Sequence, residues 1–83
     1  MEYNKETKTL SIPYNFDEEL KDIPEETEII IFLEYFINFS VFNKKINNFP
    51  QNLTQLTFGY NFNQKINNLP KNLTHLTFGN DFN

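Results

Sequence analysis

The residues able to do acid–base chemistry fall in two places. Asp17, Glu18 and Glu19 are adjacent, Asp22, Glu25, Glu26 and Glu28 follow them, and His75 is the single histidine. Paired carboxylates act as general acid and base only where a pocket separates their proton affinities. Nothing around these acids suggests one, and their spacing lacks a calcium-loop pattern. There is no cysteine, so neither a disulfide nor a thiolate metal site is available. In the repeat register His75 corresponds to Gln55, Ile29 and Thr9. That is a variable, outward strand position, which suits solvent or a partner better than catalysis. No catalytic residue, metal ligand or cofactor is assigned, and the chain is read as no enzyme.

These positions are set by a repeated phrase. Phe49-Pro50-Gln51-Asn52-Leu53-Thr54-Gln55-Leu56-Thr57-Phe58-Gly59 returns as Leu69-Pro70-Lys71-Asn72-Leu73-Thr74-His75-Leu76-Thr77-Phe78-Gly79, a step of 20 residues. A fixed period of this length marks a solenoid, in which each repeat buries its apolar face against its neighbours. Tyr14 to Pro24 matches Tyr60 to Pro70 in its aromatic pair, apolar positions and proline. The N-terminal segment is therefore a diverged first repeat. Ile30 to Leu56 spans 26 residues, so the second repeat carries about six extra within 33–42. The whole chain, 1–83, reads as a single solenoid domain. Its turns run over approximately 7–23, 24–49 with the 33–42 insertion, 50–69 and 70–83. Insertions of this kind go to loops, often on a working face.

Each turn predicts one short strand. Leu56 and Phe58 lie two apart, on one face, and Thr54 and Thr57 are β-branched. The equivalent strands are Lys8 to Ile12 and Glu28 to Phe32. Pro50 blocks sheet pairing, and Gly59 is expected to let the chain leave its strand through a conformation other residues avoid. Asn47-Asn48 and Asn67-Asn68 form turns. The connections show no helical period, beyond one helical turn at most over Asp17 to Lys21. Stacked turns make columns, among them Phe16, Phe42, Phe62, Phe82 and Ile23, Phe49, Leu69. Asn43, Asn63, Asn83 and Asn52, Asn72 are expected to pair their amides. The fold class is mainly β: four parallel strands, irregular connections and little or no helix.

The net charge of −4 hides an asymmetry. Ten of the 11 acids lie between Glu2 and Glu34 against Lys5, Lys8 and Lys21. Lys44, Lys45, Lys65 and Lys71 later face only Asp81. Two solvated faces explain this; an acidic front attracting a basic back also fits. The net charge and the lack of Arg disfavour nucleic acid. No apolar run approaches the ~20 residues that span a bilayer, and Met1 to Glu6 is unlike a signal peptide. An intracellular place is expected, with no membrane partner. Asn38-Phe39-Ser40, Asn52-Leu53-Thr54 and Asn72-Leu73-Thr74 fit the glycosylation pattern. The repeat itself dictates the latter two. Codon usage implied by abundant Asn, Lys, Ile, Phe and Tyr suggests an AT-rich genome.

Leu53-Thr54-Gln55-Leu56-Thr57-Phe58-Gly59, its copy at 73–79, Phe62-Asn63-Gln64 and Leu69-Pro70 resemble the FNIP repeat. That family is found in slime moulds and giant viruses and is similar to leucine-rich repeats. The resemblance is strong over 42–83 and weak but in register over 7–41. It implies a curved, right-handed solenoid with one parallel strand per turn. For a viral protein it implies the host cytoplasm or the virion. Giant-virus members often carry an F-box before repeats that select a target. No F-box-like segment precedes these repeats, and the turns are slightly short, so only the binding-scaffold role carries over.

The first functional reading is a scaffold for a protein partner. Its contact is the outward sheet face (Thr9, Ser11, Ile29, Ile31, Gln55, Thr57, His75 and Thr77), the 33–42 insertion, or both. Exposed Ile29 and Ile31 mark a contact, unless the insertion folds back over them. The second reading is self-assembly into a homo-oligomer or filament. Copies would stack head to tail through an uncapped last turn exposing Leu76, Phe78 and Phe82. The third is a fragment of a longer protein of this repeat type.

Overall fold

Alternating apolar residues and β-branched neighbours build one sheet. The computed structural model describes residues 1–80 and Phe82. Its strands are β1 (Glu2–Asn4), β2 (Thr9–Ile12), β3 (Ile29–Phe32), β4 (Gln55–Thr57) and β5 (His75–Thr77), ordered β1-β2-β3-β4-β5. β2 to β5 pair in parallel, and the 20- and 26-residue steps are the observed register: Leu10 faces Ile30, Ile30 faces Leu56, Leu56 faces Leu76. No helix forms among the described residues, and Asp17 to Lys21 is irregular.

The four-strand expectation is corrected by β1, which pairs antiparallel with β2, Tyr3 opposite Leu10. Asn4 makes this hairpin. Its Oδ1 accepts the N–H groups of Glu6 and Thr7 at 2.9 and 3.1 Å, the local bond through which Asn initiates turns. Lys8 completes the turn with φ 55°, and β2 accordingly starts at Thr9, not Lys8. Lys8 O accepts the N–H groups of Glu28 and Ile29. Glu28 O does the same for Thr54 and Gln55, and Thr54 O for Thr74 and His75. Thr54 and Thr74 hydroxyls add a third bond to the same carbonyls, each at 3.1 Å. Carbonyls preceding the strands thus tie each repeat to the next.

Beneath the sheet the phenylalanines form two joined columns. Phe16, Phe42, Phe62 and Phe82 stack with centroids 6.1–6.3 Å apart. Phe32, Phe58 and Phe78 step by 5.6 Å. Phe58 and Phe62, and likewise Phe78 and Phe82, close to 3.8 Å across the columns. Leu53 joins the core because its N–H bonds Pro50 O and swings the side chain inward.

Two expectations about polar and small residues change. The amide ladder runs largely between side chain and backbone, with one amide-to-amide bond, Gln64 Nε2 to Asn43 Oδ1 at 3.0 Å. Asn63 N–H bonds Asn43 Oδ1 at 2.8 Å, Gln64 Nε2 bonds Asn43 O, Asn68 Nδ2 bonds Asn47 O, and Asn72 Nδ2 bonds Gln51 O rather than Asn52. Asn83 lies outside the described residues. Neither glycine has positive φ. A Cβ on Gly59 would collide with the Ser40 side chain, and one on Gly79 with the Gly59 backbone. Glycine serves close stacking here, not conformational freedom.

Candidate interaction site

The insertion begins where β3 ends, and its sequence is uncharged from Tyr35 to Asn43. Tyr35 and Asn38 exchange backbone bonds: Tyr35 N–H to Asn38 O at 3.1 Å and Asn38 N–H to Tyr35 O at 2.6 Å. This leaves a two-residue loop, Phe36-Ile37, with Phe36 at φ 50°. Such loops ordinarily take Asn-Gly, since left-handed backbone is unfavourable for a bulky side chain. Phe36 is 99% exposed and Ile37 87%.

The base of the loop is held firmly. Glu34 Oε2 accepts the N–H groups of Ser40 and Tyr60 at 2.9 and 2.8 Å. Phe39 stacks on Tyr60 at 4.7 Å. Val41 N–H bonds Tyr14 O at 2.9 Å, and Asn61 Nδ2 bonds Ser40 O at 2.8 Å. Ser40 is fully buried against Gly59, its hydroxyl without a partner. The insertion is therefore clamped by residues that follow β2 and β4, and it projects two apolar side chains.

The sheet face is a second, flatter surface. Register aligns Asn4, Thr9, Ile29, Gln55 and His75 in one row, and Glu2, Ser11, Ile31, Thr57 and Thr77 in the next. Thr9, Ser11, Ile29, Ile31 and Thr57 are half-buried, while Gln55, His75 and Thr77 are exposed. The hydrogen bonds of the insertion to the rest of the chain run to Ile12, Tyr14, Tyr60 and Asn61, and its rings meet Phe16, Phe32, Tyr60 and Phe62, not Ile29 or Ile31. His75 Nδ1 lies 2.9 Å from Thr74 Oγ1. Among the described residues no three His, Cys, Asp or Glu side chains gather where a metal ion would sit. No helix there is long and apolar enough to cross a membrane.

Two further features stand out, of which only the first was not anticipated. A groove of about 600 Å³ opens between the connections of the first and second repeats, floored by Leu20, Ile23, Phe49 and Pro50. At the other end of the sheet, Leu76 is 36% exposed whereas Leu56, one repeat earlier, is 1% exposed. The groove had a sequence signal: Asp22 and Glu26 stand where the other repeats carry Asn48 and Asn68, Asn52 and Asn72.

Residues 42–81 match the family model described as FNIP Repeat. No curated protein and no solved structure matches the chain.

Proposed function

With residues 42–81 being FNIP repeats, we propose that the chain is a non-catalytic, intracellular repeat scaffold that binds a protein partner through its 33–42 insertion. In this reading β2 to β5 and their connections form a short right-handed solenoid, and β1 covers its first edge. The observation that carries the proposal is Phe36-Ile37, an apolar pair held out on a clamped loop in strained backbone. Strain kept at an exposed position is a pointer to function. Aromatic anchors entering a partner's pocket dominate many interfaces. The sheet-face rows, with Ile29 and Ile31 at their centre, are the adjoining contact.

The test is site-specific photo-crosslinking from position 36 and from position 31, in the host that makes the protein. A partner captured at 36 and lost on Ile37→Ser supports the insertion. Capture only from 31 moves the contact to the sheet face, and none from either position overturns the reading.

The exposed Leu76 favours a second reading, association through β5. β1 covers the edge of β2, so two copies would meet β5 to β5, as a closed two-fold pair rather than a head-to-tail stack. A following repeat of a longer chain would cover the same edge. Leu76→Lys lowers the solution mass if two copies pair this way and leaves it unchanged otherwise.

A further inference from the structure

The repeat is broken in two places, and the two breaks are complementary. The first is the Phe36-Ile37 tip. Besides its two apolar side chains it carries the N–H groups of Phe36 and Ile37, which make no hydrogen bond within the described chain. The second is the groove between the first and second repeats. In the later repeats the equivalent connections are bridged by Asn68 Nδ2 on Asn47 O and Asn72 Nδ2 on Gln51 O. One repeat earlier the corresponding donors, Asn48 and Asn52, make no such bond among the described residues and line the open groove instead. Asp22 there has φ 57°, whereas Asn48 and Asn68 at the same place in the later repeats have no positive φ.

We propose that the Phe36-Ile37 tip of one copy seats in the Leu20–Phe49 groove of a second copy. The proposal rests on reading the insertion as the contact element and names its occupant. The groove offers what the tip lacks: an apolar floor for the two side chains, and the carboxylates of Glu19, Asp22 and Glu25 as acceptors for the two free N–H groups. The tip is uncharged, so it brings no charge of its own to be stripped of water, and the groove carboxylates it covers exchange water for its N–H groups. The two features cannot meet within one molecule. The insertion leaves the C-terminal end of β3, while Leu20 to Glu25 and Asn47 to Asn52 lead into the N-terminal ends of β3 and β4. With parallel strands these lie at opposite margins of the sheet. The contact is heterologous, so copies form a chain or close into a ring.

The test measures solution mass by sedimentation, from micromolar to millimolar protein, for the wild type, Phe36→Asp and Asn48→Trp. Both substitutions are at exposed positions, and thermal melts establish that each variant folds. The wild type is expected to grow in mass with concentration. Each variant alone should weaken association about thirtyfold or more, as for a hot-spot residue. An equimolar mixture is decisive. The Phe36→Asp copy keeps its groove and the Asn48→Trp copy keeps its tip, so they should pair and stop at two. A monomeric wild type overturns the proposal, as does association that Phe36→Asp leaves unchanged. A monomer that still crosslinks a foreign protein from position 36 rejects the second copy as occupant while leaving the tip a contact. Failure of both experiments removes the tip's role altogether.

Discussion

Phe62 and Phe36 are the same residue in opposite circumstances. Phe62 is 1% exposed and touches the rings of Phe42, Phe58 and Phe82. Phe36 is 99% exposed and sits in left-handed backbone. The columns show what stability asks of this sequence: large rings at a fixed period, each repeat supplying a wall for the next. The tip shows a residue kept against both burial and backbone preference. The difference separates positions that hold the fold from a position the fold holds out.

The largest effect should come from the columns. Phe62→Ala removes a ring from the middle of one column and its 3.8 Å contact with Phe58 of the other, and such truncations cost about 3–5 kcal/mol. A domain of this size buries a modest fraction of its surface and is marginal, so the variant should be largely unfolded by circular dichroism at room temperature. Phe82→Ala, half-buried at the end of the same column, should lower the melting temperature far less. Equal losses at the two positions would mean that the columns do not transmit support along their length.

Much of this was legible in the sequence, for a physical reason. Stacked repeats bury the same position every time, so Leu10, Ile30, Leu56 and Leu76 announce their register by spacing alone. The aromatic columns follow from the same rule. What lay outside the period was not legible. β1 depends on one Asn side chain folding onto its own backbone and on a left-handed Lys8, neither of which leaves an apolar pattern. The insertion was visible as about six surplus residues, but its shape was not. Glu34 finds Tyr60 26 residues later, and Phe-Ile is no turn signal. The glycines were rightly marked for the wrong cause. Their period reflects close approach between repeats, which sequence cannot tell from a need for positive φ.

Gly59 joins the two regions, since its missing side chain makes room for Ser40 at the base of the insertion. Gly59→Ala forces a methyl into Ser40 and beside Glu34. Overpacking of this kind costs about 1–3 kcal/mol, read as a shift in the urea midpoint. The double variant Gly59→Ala/Ser40→Gly should recover a large part of the loss, whereas a conformational role for Gly59 would give no recovery. A step smaller is Glu34→Ala, which leaves the Ser40 and Tyr60 N–H groups without their acceptor. About 1 kcal/mol of stability should go. Amide exchange should quicken at Ser40 and Tyr60 but not in β3, which separates a loosened insertion from a weakened sheet.

The smallest effect on stability should be at Phe36 itself. Phe36→Asn removes an exposed ring and places at φ 50° a residue that tolerates that backbone. Nothing buried is lost, so the melting temperature should hold or rise slightly, by the equivalent of about 0.5 kcal/mol or less. Contact through position 36 should vanish in the same variant. That pairing of outcomes sets the tip apart from the columns, where loss of contact and loss of fold go together. If Phe36→Asn destabilised the chain by as much as Glu34→Ala, the ring would be covering something in solution. The tip would then be a structural element folded onto its own chain, and the contrast with Phe62 would collapse.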